Sequence, residues 1–193
     1  MCMLKLVNRQ NYLSSTYIPM HLVQDPISKI WLSETVLNAF SNLNTALIKD
    51  GMKPLVLVSG YRPYDYQKML YDKKIDFFKQ RGLCEDDARE QASKIIATPG
   101  CSEHQLGLAI DVTSYDMKDL EDPLTRDFEE KAEALWLSQN SSQYGFILRY
   151  PKNKTEITQI AYEPWHYRYV GRHDAIAMQE LGMCLEEYSH YTY

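Results

Sequence analysis

Residues 101–113 read CSEHQLGLAIDVT, and this stretch decides the fold that the sequence predicts. Its second part, GLAIDVT (107–113), is short and apolar, as expected of a buried strand. Three further runs have a similar character: PLVLVSG (54–60), GFILRY (145–150) and HYRYVG (166–171). We therefore predict that these four runs form strands of one small sheet.

Helical patterns surround these strands. Ser33 is a good N-cap residue, apolar residues then recur at helical spacing as far as Leu47, and Gly51 follows as a C-terminal glycine. Pro63 opens a second helix that runs to about Gln80. Further helices are predicted over 85–96 and 127–139, with one or two short helices over 173–190. Because strands and helices do not alternate strictly, the predicted fold is α+β, with a small, mainly antiparallel sheet flanked by helices.

Three segments are predicted to be arms or loops. Residues 1–32 form an irregular arm with a short strand, and residues 114–126 are polar and contain Pro123. Residues 150–160 contain the polar run PKNKTEI, which suits a loop or a hairpin excursion. Either of the last two segments is a candidate for a loop that gates a cleft.

The composition restricts the class of protein. A length of 193 residues predicts one domain over 1–193, and 45% hydrophobic residues are enough for a real core. The net charge of −5 argues against nucleic acid as a partner, although it allows a small anionic substrate. We see neither a leader nor a run of about 18 apolar residues, so we expect no membrane contact and a cytoplasmic protein unless an anchor was removed. For the oligomeric state, both a monomer and a homodimer remain open.

The cysteines do not suggest a metal or redox site. Cys2, Cys84, Cys101 and Cys184 are widely spaced, and no C-x-x-C pair occurs. Four free thiols are therefore expected.

Three other residues form a pattern that fits zinc. His104 lies just before the strand at 107–113, Asp111 lies on it, and His166 begins the last strand. Catalytic zinc uses three protein ligands of nitrogen, oxygen or sulfur and leaves a fourth position to water. Each residue alone is more often a core, surface or capping residue. Their joint occurrence, with a turn around Gly107 bringing the first two together, predicts a zinc site.

Glu163 is the candidate general base. It precedes His166 by three residues, so it lies near the metal without having to bind it. That is where a base must stand to deprotonate an attacking water. Pro164 would stiffen the turn and Trp165 would shield the site, whereas a surface carboxylate is the plainer interpretation of Glu163 alone.

Four residues are candidates for substrate binding. Arg62 follows a predicted strand, and its guanidinium could anchor the free carboxylate of a peptide, or form a structural ion pair. Gln67 lies in the first turns of the next helix and faces either the same cleft or solvent. Ser102 could bind the substrate main chain or serve a turn, and Ser59 is a weaker candidate at the same mouth.

These motifs resemble a known family. The pattern S-E-H-Q-x-G-x-A-x-D (102–111) and the run E-P-W-H (163–166) are similar to those of the D-alanyl-D-alanine metallopeptidases, the group that includes lysostaphin-type enzymes and the Hedgehog domain. SGYR (59–62) with Gln67 resembles the substrate-binding strand of the D,D-carboxypeptidase branch. Two longer stretches, 99–112 and 144–171, resemble the VanXY type of vancomycin-resistance enzymes. Enzymes of that type are cytoplasmic and combine D,D-dipeptidase with D,D-carboxypeptidase activity.

The resemblance implies Zn2+ as cofactor and small peptides as substrates: D-Ala-D-Ala and the muramyl pentapeptide precursor. It assigns His104, Asp111 and His166 to the metal and Glu163 to the base. Ser59 corresponds to an aspartate in some relatives, which leaves the preference between D-Ala, D-Ser and longer peptides open. Other interpretations are an L,D-carboxypeptidase or phage-type endopeptidase on the same scaffold, and a zinc-stabilised binding module without turnover.

Overall fold

The N-terminal arm contains a short hairpin. In the computed structural model, which describes residues 3–192, β1 (Leu22–Gln24) pairs antiparallel with β2 (Trp31–Ser33). The arm therefore has two strands where the sequence predicted one. The second strand leads directly into the first helix.

Four strands form the main sheet. In spatial order they are β3 (Val56–Ser59), β4 (Ala109–Thr113), β6 (His166–Tyr169) and β5 (Phe146–Leu148), and each neighbouring pair is antiparallel. All five residues of β4 are buried, because this strand has neighbours on both sides. The four predicted strands are thus confirmed, as is the α+β class with an antiparallel sheet.

Seven α-helices of the described residues surround the sheet. They are α1 (Glu34–Lys49), α2 (Tyr64–Lys79), α3 (Glu85–Ser93), α4 (Ala132–Asn140), the single-turn α5 (Thr155–Thr158), α6 (Arg172–Leu181) and α7 (Leu185–Thr192). Short 3-10 turns lie between them, including Glu103–Leu106 beside β4. Within the described residues, no helix has the length and apolar character needed to cross a bilayer.

Helix α1 supplies one wall of the core. Its buried residues are the ones that set the predicted period: Val36, Phe40, Leu43 and Leu47. They pack in one cluster with inward residues of the sheet, among them Leu57, Ile110 and Phe146. Burying such side chains contributes about 1.5–3 kcal/mol each. This packing fixes the sheet on which the site is built.

Some predicted helix boundaries were wrong. The helix expected over 127–139 is interrupted at Lys131, whose extended backbone (φ −79°, ψ 147°) separates a 3-10 turn from α4. The helix expected over 85–96 ends at Ser93. Ser33 occupies the N-cap position of α1, but its side chain makes no capping hydrogen bond. The loop expected over 150–160 contains the single-turn helix α5.

Candidate metal centre

Strand pairing brings distant residues together. In the register of the sheet, Asp111 on β4 lies opposite His166 on β6, and Ser59 at the end of β3 lies opposite Asp111. His104 belongs to the 3-10 turn that precedes β4. That turn ends at Gly107, whose positive φ of 68° changes the direction of the chain. The chain then enters β4, so that His104 and Asp111 come close together.

The three predicted ligands form a compact buried group. His104 Nε2 lies 3.2 Å from Asp111 Oδ2, His166 Nδ1 lies 2.9 Å from Asp111 Oδ1, and the two ring nitrogens are 3.3 Å apart. A tetrahedral zinc with bonds of about 2.0–2.1 Å has ligand atoms about 3.3 Å apart. These separations are close to those of a zinc site, and among the described residues the three side chains form the group that could hold a metal.

Hydrogen bonding determines which nitrogen of His104 is free. Its Nδ1 lies 2.6 Å from the carbonyl oxygen of Gly60, which can only accept, so Nδ1 carries the proton. The lone pair of Nε2 is then directed at the ligand group. Burial, helped by the nearby Arg62 charge, lowers the pKa of His104 to about 4. The imidazole is therefore neutral at pH 7, as a metal ligand must be.

His166 directs its Nδ1 toward the same point. Its Nε2 is buried and has no hydrogen-bond partner within the described part of the chain. The ring of Tyr150 packs against the imidazole, with 4.9 Å between the ring centroids. The ring is thus held by packing on one side and by Asp111 on the other.

The Asp111 carboxylate is held in its charged form. Burial by itself would raise the pKa of this carboxyl, but its contacts with His104, His166 and Arg62 outweigh burial and hold the pKa well below its usual range. Arg62 Nη2 donates to Asp111 Oδ2 at 2.9 Å. Asp111 is therefore available as an anionic ligand at neutral pH.

Glu163 stands beside this group but outside it. Its Oε2 is 3.7 Å from His166 Nδ1, and its side chain is 14% exposed. Burial raises the pKa of the Glu163 carboxyl well above its ordinary value, and the Asp111 charge raises it further. A carboxyl with a raised pKa can both accept and return a proton near neutral pH.

The ligand group opens into a cleft of about 430 Å³. Arg62, Gln67, Ser102 and Glu163 all line it. Arg62 Nη1 donates to Gln67 Oε1 at 3.3 Å, and Gln67 Nε2 donates to the carbonyl of Ala97 at 2.8 Å. Ser59 is half-buried, lies opposite Asp111 on the neighbouring strand and is not among the residues that line this cleft.

Both predicted gating segments contribute to the cleft. Asp122 and Leu124 line it from the first, and Tyr150 and Ile160 from the second. Most of the residues that line this cleft were not predicted from the sequence, among them Lys74 on α2. Lys74 could have been found by position, because it follows Gln67 by seven residues and so lies on the same face of the helix.

The fold and the site together define a peptidase of the metal-binding type. A family model described as VanY, D-alanyl-D-alanine carboxypeptidase, matches residues 29–172. The chain therefore belongs to the VanY family of D-alanyl-D-alanine carboxypeptidases, which confirms the family that the motifs indicated.

Curated relatives agree with this assignment. The chain is 38% identical to the putative carboxypeptidase YodJ of Bacillus subtilis, over 96% of the chain and 66% of that protein. It is 38% identical to a D-alanyl-D-alanine carboxypeptidase of Enterococcus faecalis, over 95% of the chain and 64% of that protein. It is also 38% identical to the bifunctional D-Ala-D-Ala dipeptidase and carboxypeptidase VanXYC of Enterococcus gallinarum, covering 97% and 94%. The chain thus spans about two thirds of the first two relatives.

Solved structures show the same fold. A vancomycin-resistance D,D-pentapeptidase VanY variant in complex with Zn(II) superposes with a TM-score of 0.84 at 37% identity, covering 97% of this chain and 99% of the other. VanYB in complex with D-alanine-D-alanine also gives 0.84 at 37% identity, covering 97% of each chain. The LD-carboxypeptidase LdcB gives 0.81 at 37% identity, covering 96% and 84%.

Proposed function

We propose that this chain is a zinc-dependent D,D-carboxypeptidase that removes the C-terminal D-residue from cell-wall peptides. One observation carries the proposal: a buried His-Asp-His group with zinc-like spacing shares its cleft with the carboxyl of Glu163 and the guanidinium of Arg62. The His-Asp-His group would bind the metal, the carboxyl would act as the base, and the guanidinium would bind an anionic group of the substrate. The Zn(II) and D-alanine-D-alanine complexes of VanY-type proteins support the cofactor and the substrate class.

His104, Asp111 and His166 would hold the zinc ion. When bound there, zinc would polarise the scissile carbonyl and make the attacking water more acidic. The ligand set of two neutral imidazoles and one carboxylate leaves the ion a net positive charge, which suits this role.

Glu163 would move the proton of the reaction. It accepts a proton from water as the oxygen attacks the peptide carbonyl, and it returns that proton to the nitrogen of the leaving amino acid. The C–N bond breaks, so that one water is consumed and one new carboxyl end and one new amine end result. The raised pKa of Glu163 matches this exchange.

Arg62 would hold the substrate by a charged group. Its guanidinium already contacts Asp111, so any substrate oxygen it binds lies next to the metal ligands. We assign it the free C-terminal carboxylate, which a guanidinium binds through two parallel hydrogen bonds. Gln67 would orient Arg62, and Ser102 would contact the peptide main chain. Ser59, opposite Asp111 on β3, would act on substrate preference.

The proposal extends to a substrate range and a setting. The resemblance to the VanXY type, and a match that spans 94% of VanXYC, support hydrolysis of the D-Ala-D-Ala dipeptide as well as of muramyl pentapeptide precursors. Removing these termini in the cytoplasm would deprive glycopeptide antibiotics of their target. Expression in a susceptible host should then raise its vancomycin tolerance.

A second candidate activity is cleavage of an L,D bond. The similarity to LdcB, with a TM-score of 0.81 at 37% identity, favours it. An L,D-carboxypeptidase would release D-alanine from a tetrapeptide, whereas a D,D-carboxypeptidase would require a pentapeptide that ends in D-Ala-D-Ala.

The test is product analysis on dipeptide, tetrapeptide and pentapeptide substrates side by side. We expect release of D-alanine from the pentapeptide and from D-Ala-D-Ala. Glu163→Gln should retain zinc but lose kcat by at least ~100-fold, in line with general base catalysis. Near-normal turnover in that variant would refute the assignment of the base, and cleavage of the tetrapeptide alone would favour the L,D activity.

A further inference from the structure

A network of buried charges lies directly behind the metal centre. Arg149 Nε donates to Glu103 Oε1 at 2.8 Å, and Arg168 Nη1 forms an ion pair with the same oxygen at 2.8 Å. Arg149 also grips Glu186 on α7 with both terminal nitrogens, at 2.8 and 2.6 Å. The two arginines and Glu103 are at most 1% exposed, and Glu186 is 7% exposed. Two positive and two negative charges therefore balance within the core.

The network contacts the reactive residues through the backbone. Arg149 N donates to the carbonyl of His166 at 3.2 Å, and the carbonyl of the next residue, Tyr150, accepts from Glu163 N at 3.2 Å. His166 N in turn donates to the carbonyl of Glu163 at 3.2 Å. Residues 149 and 150 thus hold both ends of the turn that carries the candidate base and one ligand.

The same network reaches the other histidine. Glu103 is the immediate neighbour of His104, and Arg168 lies two residues after His166 on β6. One connected set of ion pairs therefore borders three of the four residues assigned to metal binding and proton transfer. The substrate-side residues Arg62 and Gln67 lie elsewhere, around the start of α2.

A buried network of this kind is a costly way to stabilise a core, which points to a use other than stability. Desolvating four charges is expensive, and well-packed apolar residues of similar size are often at least as stable. A bidentate arginine, however, fixes direction as well as position. Partners behind metal ligands typically change metal affinity or activity by about 10–100-fold when they are removed.

We propose that Glu186, on the last helix, is a positioning residue for the metal centre and acts through the fork of Arg149 on the turn 163–166. This inference rests on the proposed zinc site. It assigns α7 a role in catalysis, although none of the described side chains of this helix lines the cleft.

The decisive variant is charge-balanced. Arg149→Met combined with Glu186→Met removes one positive and one negative charge and leaves Glu103 paired with Arg168. Because the packing volume is kept, we expect a melting temperature near that of the wild type. Zinc affinity, measured by competition with a chromophoric chelator, should fall about 10–100-fold. On D-Ala-D-Ala we expect kcat to fall by a similar factor while KM stays unchanged.

Glu187→Gln is the matched control. Glu187 is the next residue on α7, but its ion pair is with Lys154 near the surface. This variant should keep wild-type zinc affinity and kcat. Glu186→Gln, a milder change, should lose both in the same direction as the double variant and decides the matter if the double variant does not fold.

The possible outcomes separate the two proposals. Folded Glu186 variants with wild-type zinc affinity and kcat would show that the network only stabilises the fold, and would overturn the inference. A wild-type protein that binds no zinc and cleaves no peptide would instead overturn the proposed function.

Discussion

At the scale of single residues, burial determines which side chains can react. His104 is buried and Glu163 is largely buried near Asp111, yet burial has opposite effects on the pKa values of the two groups. It lowers the pKa of the imidazole and raises that of the carboxyl, because in each case the neutral form is favoured. The result is a neutral ligand next to a carboxyl that can exchange a proton.

Thiol reactivity gives a test at the same scale. Burial, aided by neighbouring carboxylates, raises the pKa of Cys184 to about 11 from an ordinary value of 9.0. Since the thiolate is the reactive form, Cys184 should stay unlabelled by a disulfide reagent at pH 8 and become reactive only as the pH approaches 11. Cys84 is exposed and should react at once.

Serine substitutions provide the controls for this experiment. Cys84→Ser should remove one fast-reacting thiol from the native protein at pH 8, and Cys184→Ser should remove none. If Cys184→Ser also removed a fast-reacting thiol, the start of α7 would be open to solvent. The free thiols expected at Cys84, Cys101 and Cys184 are present, whereas Cys2 lies outside the described residues.

At the scale of elements, the end of β3 controls the site through Gly60. Its carbonyl orients His104, and its Cα faces β2 so closely that an added Cβ would lie 2.6 Å from the carbonyl oxygen of Trp31 and in collision with Leu32. A side chain here must push β3 away from the hairpin. The glycine therefore allows the close approach that places the His104 acceptor.

Gly60→Ala should accordingly damage both stability and metal binding. We expect a loss of about 1–3 kcal/mol in unfolding free energy from overpacking, and weaker zinc binding because the Gly60 carbonyl moves. Urea unfolding and chelator competition measure the two effects. In Gly82→Ala the added methyl meets nothing within 4 Å, and only its positive φ of 92° opposes it. That variant should lose some stability but bind zinc normally, and equal zinc affinity in both would contradict the role of Gly60.

At the scale of the whole molecule, a bound ion should tie the sheet together. Asp111 and His166 belong to neighbouring strands, and a ligand that binds only the folded state adds about 2.7 kcal/mol at 100 times its Kd. Removing zinc with a chelator should thus lower the melting temperature, and zinc should restore it. Mg2+ should fail to do so, because it requires near-octahedral oxygen ligation. In His166→Ala the melting temperature should no longer respond to zinc.

Much of this arrangement could be predicted from local sequence. The apolar runs predicted the four strands, and the joint occurrence of His104, Asp111 and His166 predicted the group that the fold brings together. The break at Lys131 was not predicted, because a 3-10 turn followed by an α-helix has nearly the same apolar period as one continuous helix. The buried network escaped as well, since Arg149 and Glu186 are 37 residues apart and only tertiary packing brings them together. An arginine in the otherwise apolar run GFILRY was the one available sign.

The order of strands in the sheet has a consequence for biosynthesis. His104 and Asp111 are close in the chain, but 55 residues separate Asp111 from His166. On the ribosome the first two ligands emerge together, while the third must wait for β6, which pairs with a strand already made. Two ligands alone hold zinc weakly, so the nascent chain would acquire its ion only after β6 has been made. An enzyme built in this way remains inactive until β6 has joined the sheet.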